Sequence, residues 1–174
     1  DSVIGWHRGM TDNTPNGSAQ KISKSITVTT SNYYLQLAFI SVLGIGHGCC
    51  DAPSVSFRLL DPIGGNTVIP CPQYTACVPG SMCTTTLAGL NYSPCPLNSF
   101  LSYNKWKTVG FDLSPFIGTT VTFEAIANDC TQGNHQGYMY FDAQCGPMGL
   151  VLNGSTFYFP SAINTVTLPV CGYA

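Results

Sequence analysis

Two histidines sit in glycine-flanked loops, His47 in GIGHGCCD and His135 in DCTQGNHQGY, each with an aspartate close by, Asp51 and Asp129. Glycine lets the backbone turn sharply enough to aim an imidazole inward. If the two loops meet at one end of the fold, His47, His135, Asp51 and Asp129 could converge on a metal ion. The spacing that marks a structural zinc site is absent, and the alternative is a pair of loop histidines held by hydrogen bonds. Glu124 is the only glutamate, which excludes a pair of catalytic glutamates. Asp112, in FDLS, reads as a turn residue whose carboxylate satisfies local backbone donors. There is no G-x-S-x-G elbow, no H-E-x-x-H and no phosphate-cradling glycine fingerprint. His47 lies two residues before Cys49, but that cysteine is better explained as bridged than as a nucleophile. The residues predict a chain that is not an enzyme.

The aromatic residues suggest a different surface. Strand alternation makes Tyr138 and Tyr140 co-facial, with Met139 and Phe141 on the opposite face, and only one of these pairs can point to a core. An outward tyrosine pair would form a stripe beside the DCTQGNHQ loop, where planar rings and the amides of Asn134 and Gln136 could hold a glycan. The alternative is that the rings pack under loops.

Nine cysteines without any C-x-x-C point to disulfides formed in an oxidising compartment, and so to an extracellular or cell-surface location. Cys49, Cys50, Cys71, Cys77, Cys83, Cys95, Cys130 and Cys145 could form four bridges, leaving Cys171 over. Alternatively Cys171 pairs with Cys145 or Cys130. Adjacent cysteines in an extended segment point opposite ways, so Cys49 and Cys50 are expected to bridge to different partners, one of them tethering its loop to the Cys/Pro/Thr-rich stretch from Pro70 to Pro96. That stretch has little periodicity and reads as a surface loop held by disulfides. Asn16, Asn91 and Asn153 open N-x-S/T triplets compatible with exposed loops.

Charge excludes one class of partner. Charged residues make up 8% of the chain and the net charge is −2. The six cations are too few and scattered to neutralise a phosphate backbone, so nucleic acid is not expected. The longest apolar run, Leu35 to Ile45, is interrupted by Gln36, Ser41 and Gly44 and is about half the length of a membrane helix, so no direct membrane insertion is expected. The opening Asp1-Ser2-Val3 lacks the basic and apolar regions of a signal peptide, as in a mature or excised segment.

These residues must be positioned by strands. Thr108 to Leu113, Thr119 to Ala127 and Gly137 to Ala143 show period-two alternation, with a Ser-Pro-Phe-Ile-Gly corner and a Gly/Asn/His loop between them, the mark of half-buried antiparallel strands. The segment from Trp106 through DLS, IG, V-x-FEA and GYMYFDAQC resembles the final strands of jelly-roll modules in MAM-type and galactose-binding-like domains. It is more closely similar to a module of very large surface and gliding-motility-associated adhesins of Bacteroidetes-type bacteria. AQKISKSITVT, YLQLAFISVLGIGHG and PSVSFRLLDPIGGNTVIPC resemble that module's opening strands, so the likeness covers roughly Ile4 to Cys145.

The resemblance implies an all-β, antiparallel two-sheet jelly-roll sandwich over residues 1–145. Residues 146–174 would be a linker and the start of a following Ig-like repeat, or else a terminal strand of the same domain. It also implies histidines at the places of His47 and His135, and a structural calcium held by Asp142 with Asp12 and Asn13 of the Gly9 to Gly17 loop. Where the similar modules carry a paired acidic dipeptide, this chain has Asp142-Ala143, and Asp142 bound to backbone donors is the alternative. The function implied is a non-catalytic adhesin module that gives structural spacing and contacts a glycan or cell-surface protein, beside neighbouring repeats of the same polypeptide or filament. A carbohydrate-binding module of a secreted polysaccharide-degrading enzyme and a polymerising extracellular filament subunit are the other two readings.

Overall fold

Alternating apolar residues need a second apolar face to close against, and here two antiparallel sheets supply it. The structure is a computed structural model describing residues 4–10, 19–45, 52–63, 67–69, 73–78, 90–130, 135–146, 151–152 and 155–156. Its strands are β1 (Ile4–Met10), β2 (Ala19–Thr27), β3 (Tyr34–Gly44), β4 (Ser54–Asp61), β5 (Thr67–Val68), β6 (Tyr74–Cys77), β7 (Tyr92–Cys95), β8 (Asn98–Asn104), β9 (Lys107–Asp112), β10 (Thr120–Asn128), β11 (Gly137–Gly146), β12 (Val151–Leu152) and β13 (Ser155–Thr156). The first sheet runs β1-β11-β3-β8-β7, with β9 also pairing β3. The second runs β2-β10-β4-β5, with β6 also pairing β4, while β12 and β13 pair with each other.

The two large sheets form a β-sandwich with one phenylalanine-rich core. Leu35, Leu37 and Phe39 of β3 and Met139 and Phe141 of β11 face Phe57 and Leu59 of β4 and Val121 and Phe123 of β10, all buried. Rings interlock across the interface, Phe39 to Phe57 at 4.9 Å, Phe57 to Phe141 at 6.2 Å and Phe111 to Phe123 at 5.8 Å between centroids. The last two meet edge-on, the geometry favoured by the ring quadrupole. Truncating such a ring to alanine costs about 3–5 kcal/mol. The three strands expected near the C-terminal half of the sequence are present, β9 starting and ending one residue earlier than expected, β10 one residue later and β11 running three residues further, and the Ser-Pro-Phe corner is a 3-10 turn closed by Gly118 at φ 88°. Asp112 is the turn residue expected, accepting the Ser114 N–H at 2.9 Å.

β8 and β9 lie end to end along β3, and the register gains one residue between Tyr103↔Val42 and Lys107↔Phe39. This is a β-bulge centred on Lys105 and Trp106. It leaves β3 short of a backbone partner at Ser41, and the Asn104 side chain fills the gap. Its Oδ1 accepts both the Ser41 N–H and the Ser41 hydroxyl at 2.6 Å, and its Nδ2 donates to the Lys105 carbonyl. With the Ser41 hydroxyl committed to Asn104, the Tyr92 hydroxyl donates to Ser41 Oγ at 2.7 Å. Burial pushes the Tyr92 pKa up to about 12, against the opposing effect of this hydrogen bond.

The Pro70 to Pro96 stretch departs from its expectation as a stapled surface loop. Tyr74–Cys77 and Tyr92–Cys95 are strands, and Tyr74, Ala76 and Cys77 are buried in the sandwich. Four residues are too few for alternation to show, but pairing with β4 puts Tyr74 opposite Phe57. From there its hydroxyl reaches the other sheet and donates to the Gly110 carbonyl at 2.7 Å. Gly110 has no room for a Cβ, which would collide with the Tyr34 ring. No helix among the described residues is long and apolar enough to cross a membrane. The expected terminal strand from Asn164 to Val170 lies outside the described residues.

On the outer face of the second sheet, Glu124 is 2% exposed and receives Lys21 Nζ at 2.6 Å and Arg58 Nε at 2.7 Å. Burial pushes its carboxyl up, but the hydrogen bonds and charges of the two cations outweigh this and hold its pKa below the usual carboxylate value. A depressed folded-state pKa contributes stability that is present above the unfolded value, about 4.3, and is lost as pH falls through the folded one. Glu124→Gln should lower stability at pH 7 by about 1–2 kcal/mol, a modest figure because both cations remain partly solvated. The variant should also lose less stability than the wild type on acidification below about pH 4. Parallel denaturation curves from pH 7 to pH 2 for the two proteins would contradict the pairing.

Candidate functional site

With Met139, Phe141 and Ala143 committed to the core, Tyr138, Tyr140 and Asp142 fall on the outer face of β11, and Gln136 lies just before the strand begins. Tyr138 lies opposite Val42, which lies opposite Tyr103, while Tyr140 lies opposite Ile40. Tyr138, Tyr140, Ile40 and Tyr103 are half-buried and Val42 is buried, an aromatic and aliphatic row across three strands. The Tyr138 and Tyr140 rings are 5.9 Å apart and perpendicular, at 88°. One offers a face and the other an edge, making a corner rather than a flat platform.

At the head of this row lies a cavity of about 340 Å³, lined by Gly44, Asn98, Phe100, Leu101, His135 and Gln136. Backbone hydrogen bonds build its walls. Gly44 donates to the Gln136 carbonyl at 2.9 Å, Ile45 to Phe100 at 2.9 Å, and Cys130 to His135 at 3.2 Å. A Cβ on Gly44 would stand 2.8 Å from His135 Cβ, so only glycine lets the β10–β11 connection seat this closely on β3. Behind the imidazole, the buried Cys130 places Sγ 3.7 Å from His135 Nδ1, within the longer reach of sulfur. Phe100, 71% exposed, gives the cavity an apolar edge, and Leu97 at the β7–β8 turn is 96% exposed.

Three of the four expected glycan contacts, Tyr138, Tyr140 and Gln136, thus share one face with the cavity, while Asn134 lies outside the described residues. For the metal proposed at the paired loops, His135 and Asp129 are at this end of the sandwich and Asp129 is buried. His47 and Asp51 lie outside the described residues. Asp142 is half-buried opposite Ala38, and its suggested calcium partners Asp12 and Asn13 also lie outside them. Among the described residues no three His, Cys, Asp or Glu side chains are grouped to hold a metal ion.

The cysteines correct one expectation. Cys77 is disulfide-bonded, but Cys95, Cys130 and Cys145 carry thiols rather than bridges. Cys130 and Cys145 are too far apart to bridge each other. At about 3.3 Å per residue, β11 puts Cys145 roughly 25–30 Å from the turn that holds Cys130, whereas a disulfide needs Cα atoms within about 7 Å. Cys95 sits at the β7–β8 turn opposite Asn98. Cys49, Cys50, Cys71, Cys83 and Cys171 lie outside the described residues. No local sequence pattern marks Asn98, Phe100 and Leu101 as lining residues. The one usable signal was Cys130 and His135 facing each other across the short connection after β10.

Denatured without reductant, the protein should expose at least the three thiols of Cys95, Cys130 and Cys145 to alkylation. In the native state Cys130 should be protected, and Cys145 slow at neutral pH because burial pushes its thiol pKa up. A denatured sample that takes up no label would mean these cysteines are bridged after all. Gly44→Ala should destabilise the protein by about 1–3 kcal/mol through overpacking against His135. Unchanged stability would show that the His135 turn does not seat on β3. No family model, curated protein or solved structure matches the chain, and the functional reading rests on the geometry of this face.

Proposed function

We propose that the chain is a non-catalytic module of a secreted or cell-surface adhesin and that the outer face of its first sheet makes the contact. The observation that carries this reading is the alignment of Tyr138 and Tyr140 on the outer face of β11 with a cavity lined in part by Gln136 and Asn98. A preformed face loses little conformational entropy on binding. Strand order supports a jelly-roll fold, because successive strands alternate between the sheets from β1 to β4 and again from β9 to β11, as in a wrapped pair of Greek keys. The disulfide at Cys77 supports an oxidising, extracellular setting. The same face would equally serve a carbohydrate-binding module of a secreted polysaccharide-degrading enzyme, because the perpendicular tyrosines and the cavity suit a sugar in either context.

The test is adhesion of the purified chain to glycan arrays and to cell-surface proteins. Tyr138→Ala combined with Tyr140→Ala should abolish capture while moving Tm by less than about 5 °C, since both rings are only half-buried. Capture that survives the double substitution would place the contact elsewhere. Polysaccharide or peptide turnover that disappears with His135→Ala would replace the adhesin reading with an enzyme.

A further inference from the structure

The cavity and the aromatic row continue one another along β3. Sheet register sets Gly44 between Leu101 of β8 and Gln136, and Val42 between Tyr103 of β8 and Tyr138 of β11. The central strand thus carries a glycine and a valine where its neighbours carry longer side chains, which makes a groove with a low floor and two walls. Ile40 and Tyr140 follow further along the same strands. We propose that this groove docks a proline-rich segment of a partner protein in the polyproline II conformation. The proposal rests on the adhesin reading and names the class of its partner.

Width decides which conformation a partner can present. β8 and β11 both flank β3, so their backbones stand about 9.5 Å apart at about 4.8 Å per strand. An α-helix is about 10–12 Å across with its side chains and cannot settle between these walls. A strand cannot add to the floor either, because β3 is already paired with β8 on one side and β11 on the other. A single polyproline II chain fits. From the Gly44 row to the Ile40 row is about 13 Å at a strand rise of about 3.3 Å per residue, which roughly four residues of polyproline II cover at about 3.1 Å each.

Hydrogen-bonding chemistry selects the sequence. Polyproline II has no internal hydrogen bonds and proline has no N–H, so a proline-rich segment offers bare carbonyls and few donors. The groove supplies donors. Asn98 Oδ1 already accepts the Phe100 N–H at 3.0 Å, which leaves Asn98 Nδ2 to donate. Among the described residues no hydrogen bond engages the side-chain amide of Gln136 or the hydroxyls of Tyr103 and Tyr140. The Tyr138 and Tyr140 rings, at 88°, make a corner in which a pyrrolidine ring rests on one face against the edge of the other. No aspartate, glutamate, lysine or arginine is among the described residues of the floor and walls, so a charged segment would lose hydration there without gaining a partner. Aromatic grooves favour polyproline II because the chain is already ordered and loses little entropy on docking.

The experiment is an NMR titration of the whole chain with capped decaproline, with a capped Gly-Ser peptide of the same length and cellohexaose as comparison probes. Decaproline should shift the Val42 and Gly44 amides and the side-chain amides of Asn98 and Gln136, and should bind at least about tenfold more tightly than the Gly-Ser peptide. Tyr140→Phe, which removes a donor and keeps the ring, should weaken decaproline binding by about threefold to tenfold, and Tyr103→Ala by about tenfold or more. If Tyr103→Ala does not fold, Gln136→Ala takes its place, with an expected loss of about threefold to tenfold. Decaproline that binds no more tightly than the Gly-Ser peptide, shifts confined to residues outside the groove, or variants that bind it as the wild type does would overturn the proposal. Cellohexaose that moves the groove amides while decaproline leaves them still would also overturn it, and would keep the adhesin reading with a glycan as its contact. If decaproline is silent while capture through Tyr138 and Tyr140 persists, the docking inference alone falls. If both are silent, both fall.

Discussion

Burial of one face of β11 against the opposite sheet is the constraint on which the rest depends. Met139, Phe141 and Ala143 are enclosed by β4 and β10, so a one-residue slip in register would put Tyr138, Tyr140 and the Asp142 carboxylate into an apolar core. That cost fixes which residues face outward, and with them the composition of the outer face. Because β11 lies between β1 and β3, its side chains are also held from both sides. The outer row of Tyr138, Val42 and Tyr103 follows directly from the registers that the core imposes.

Polar groups inside and at the edges of the sandwich are answered locally. Asn104, Ser41 and Tyr92 satisfy one another at the bulge where β8 gives way to β9, so a break in the ladder is tolerated within a buried sheet. Tyr74 ties the second sheet to the first through the Gly110 carbonyl. Glu124 is buried only because Lys21 and Arg58 approach it from the strands on either side, β2 and β4. Lys24 lies opposite the buried Phe123 on edge strand β2 yet remains exposed, placing a charge where another strand would have to dock.

Cysteine has more than one role in this chain. Cys77 forms a disulfide, while Cys130 is a buried thiol against an imidazole and Cys145 a half-buried one whose ionisation is suppressed by desolvation. Cys77, Cys95 and Cys130 lie toward the same end of the sandwich, where β4 meets β6, β7 turns into β8, and β10 leads into β11. The cavity lies at that end. Its walls come from strand ends and turns, so its chemistry can vary while the phenylalanine core keeps it in place.

Period-two alternation in Thr119 to Ala127 and Gly137 to Ala143 is a local property, and it was sufficient to define the strands, the antiparallel sandwich and the co-facial pair Tyr138 and Tyr140. Asp112 was likewise readable, since an aspartate at a turn answers donors two residues away. Which tyrosine face points outward was not, because the decision belongs to the strands packed beneath. Tyr74 to Cys77 was read as loop because four residues carry too little pattern, and pairing with β4 is what makes them a strand. The cysteine count suggested bridges throughout, but a disulfide requires two chain positions to meet within a few ångströms, and only the tertiary structure sets the positions of Cys95, Cys130 and Cys145. The cavity of Gly44, Asn98, Phe100 and His135 draws on segments far apart in the chain, brought together by sheet registers that no local sequence pattern encodes.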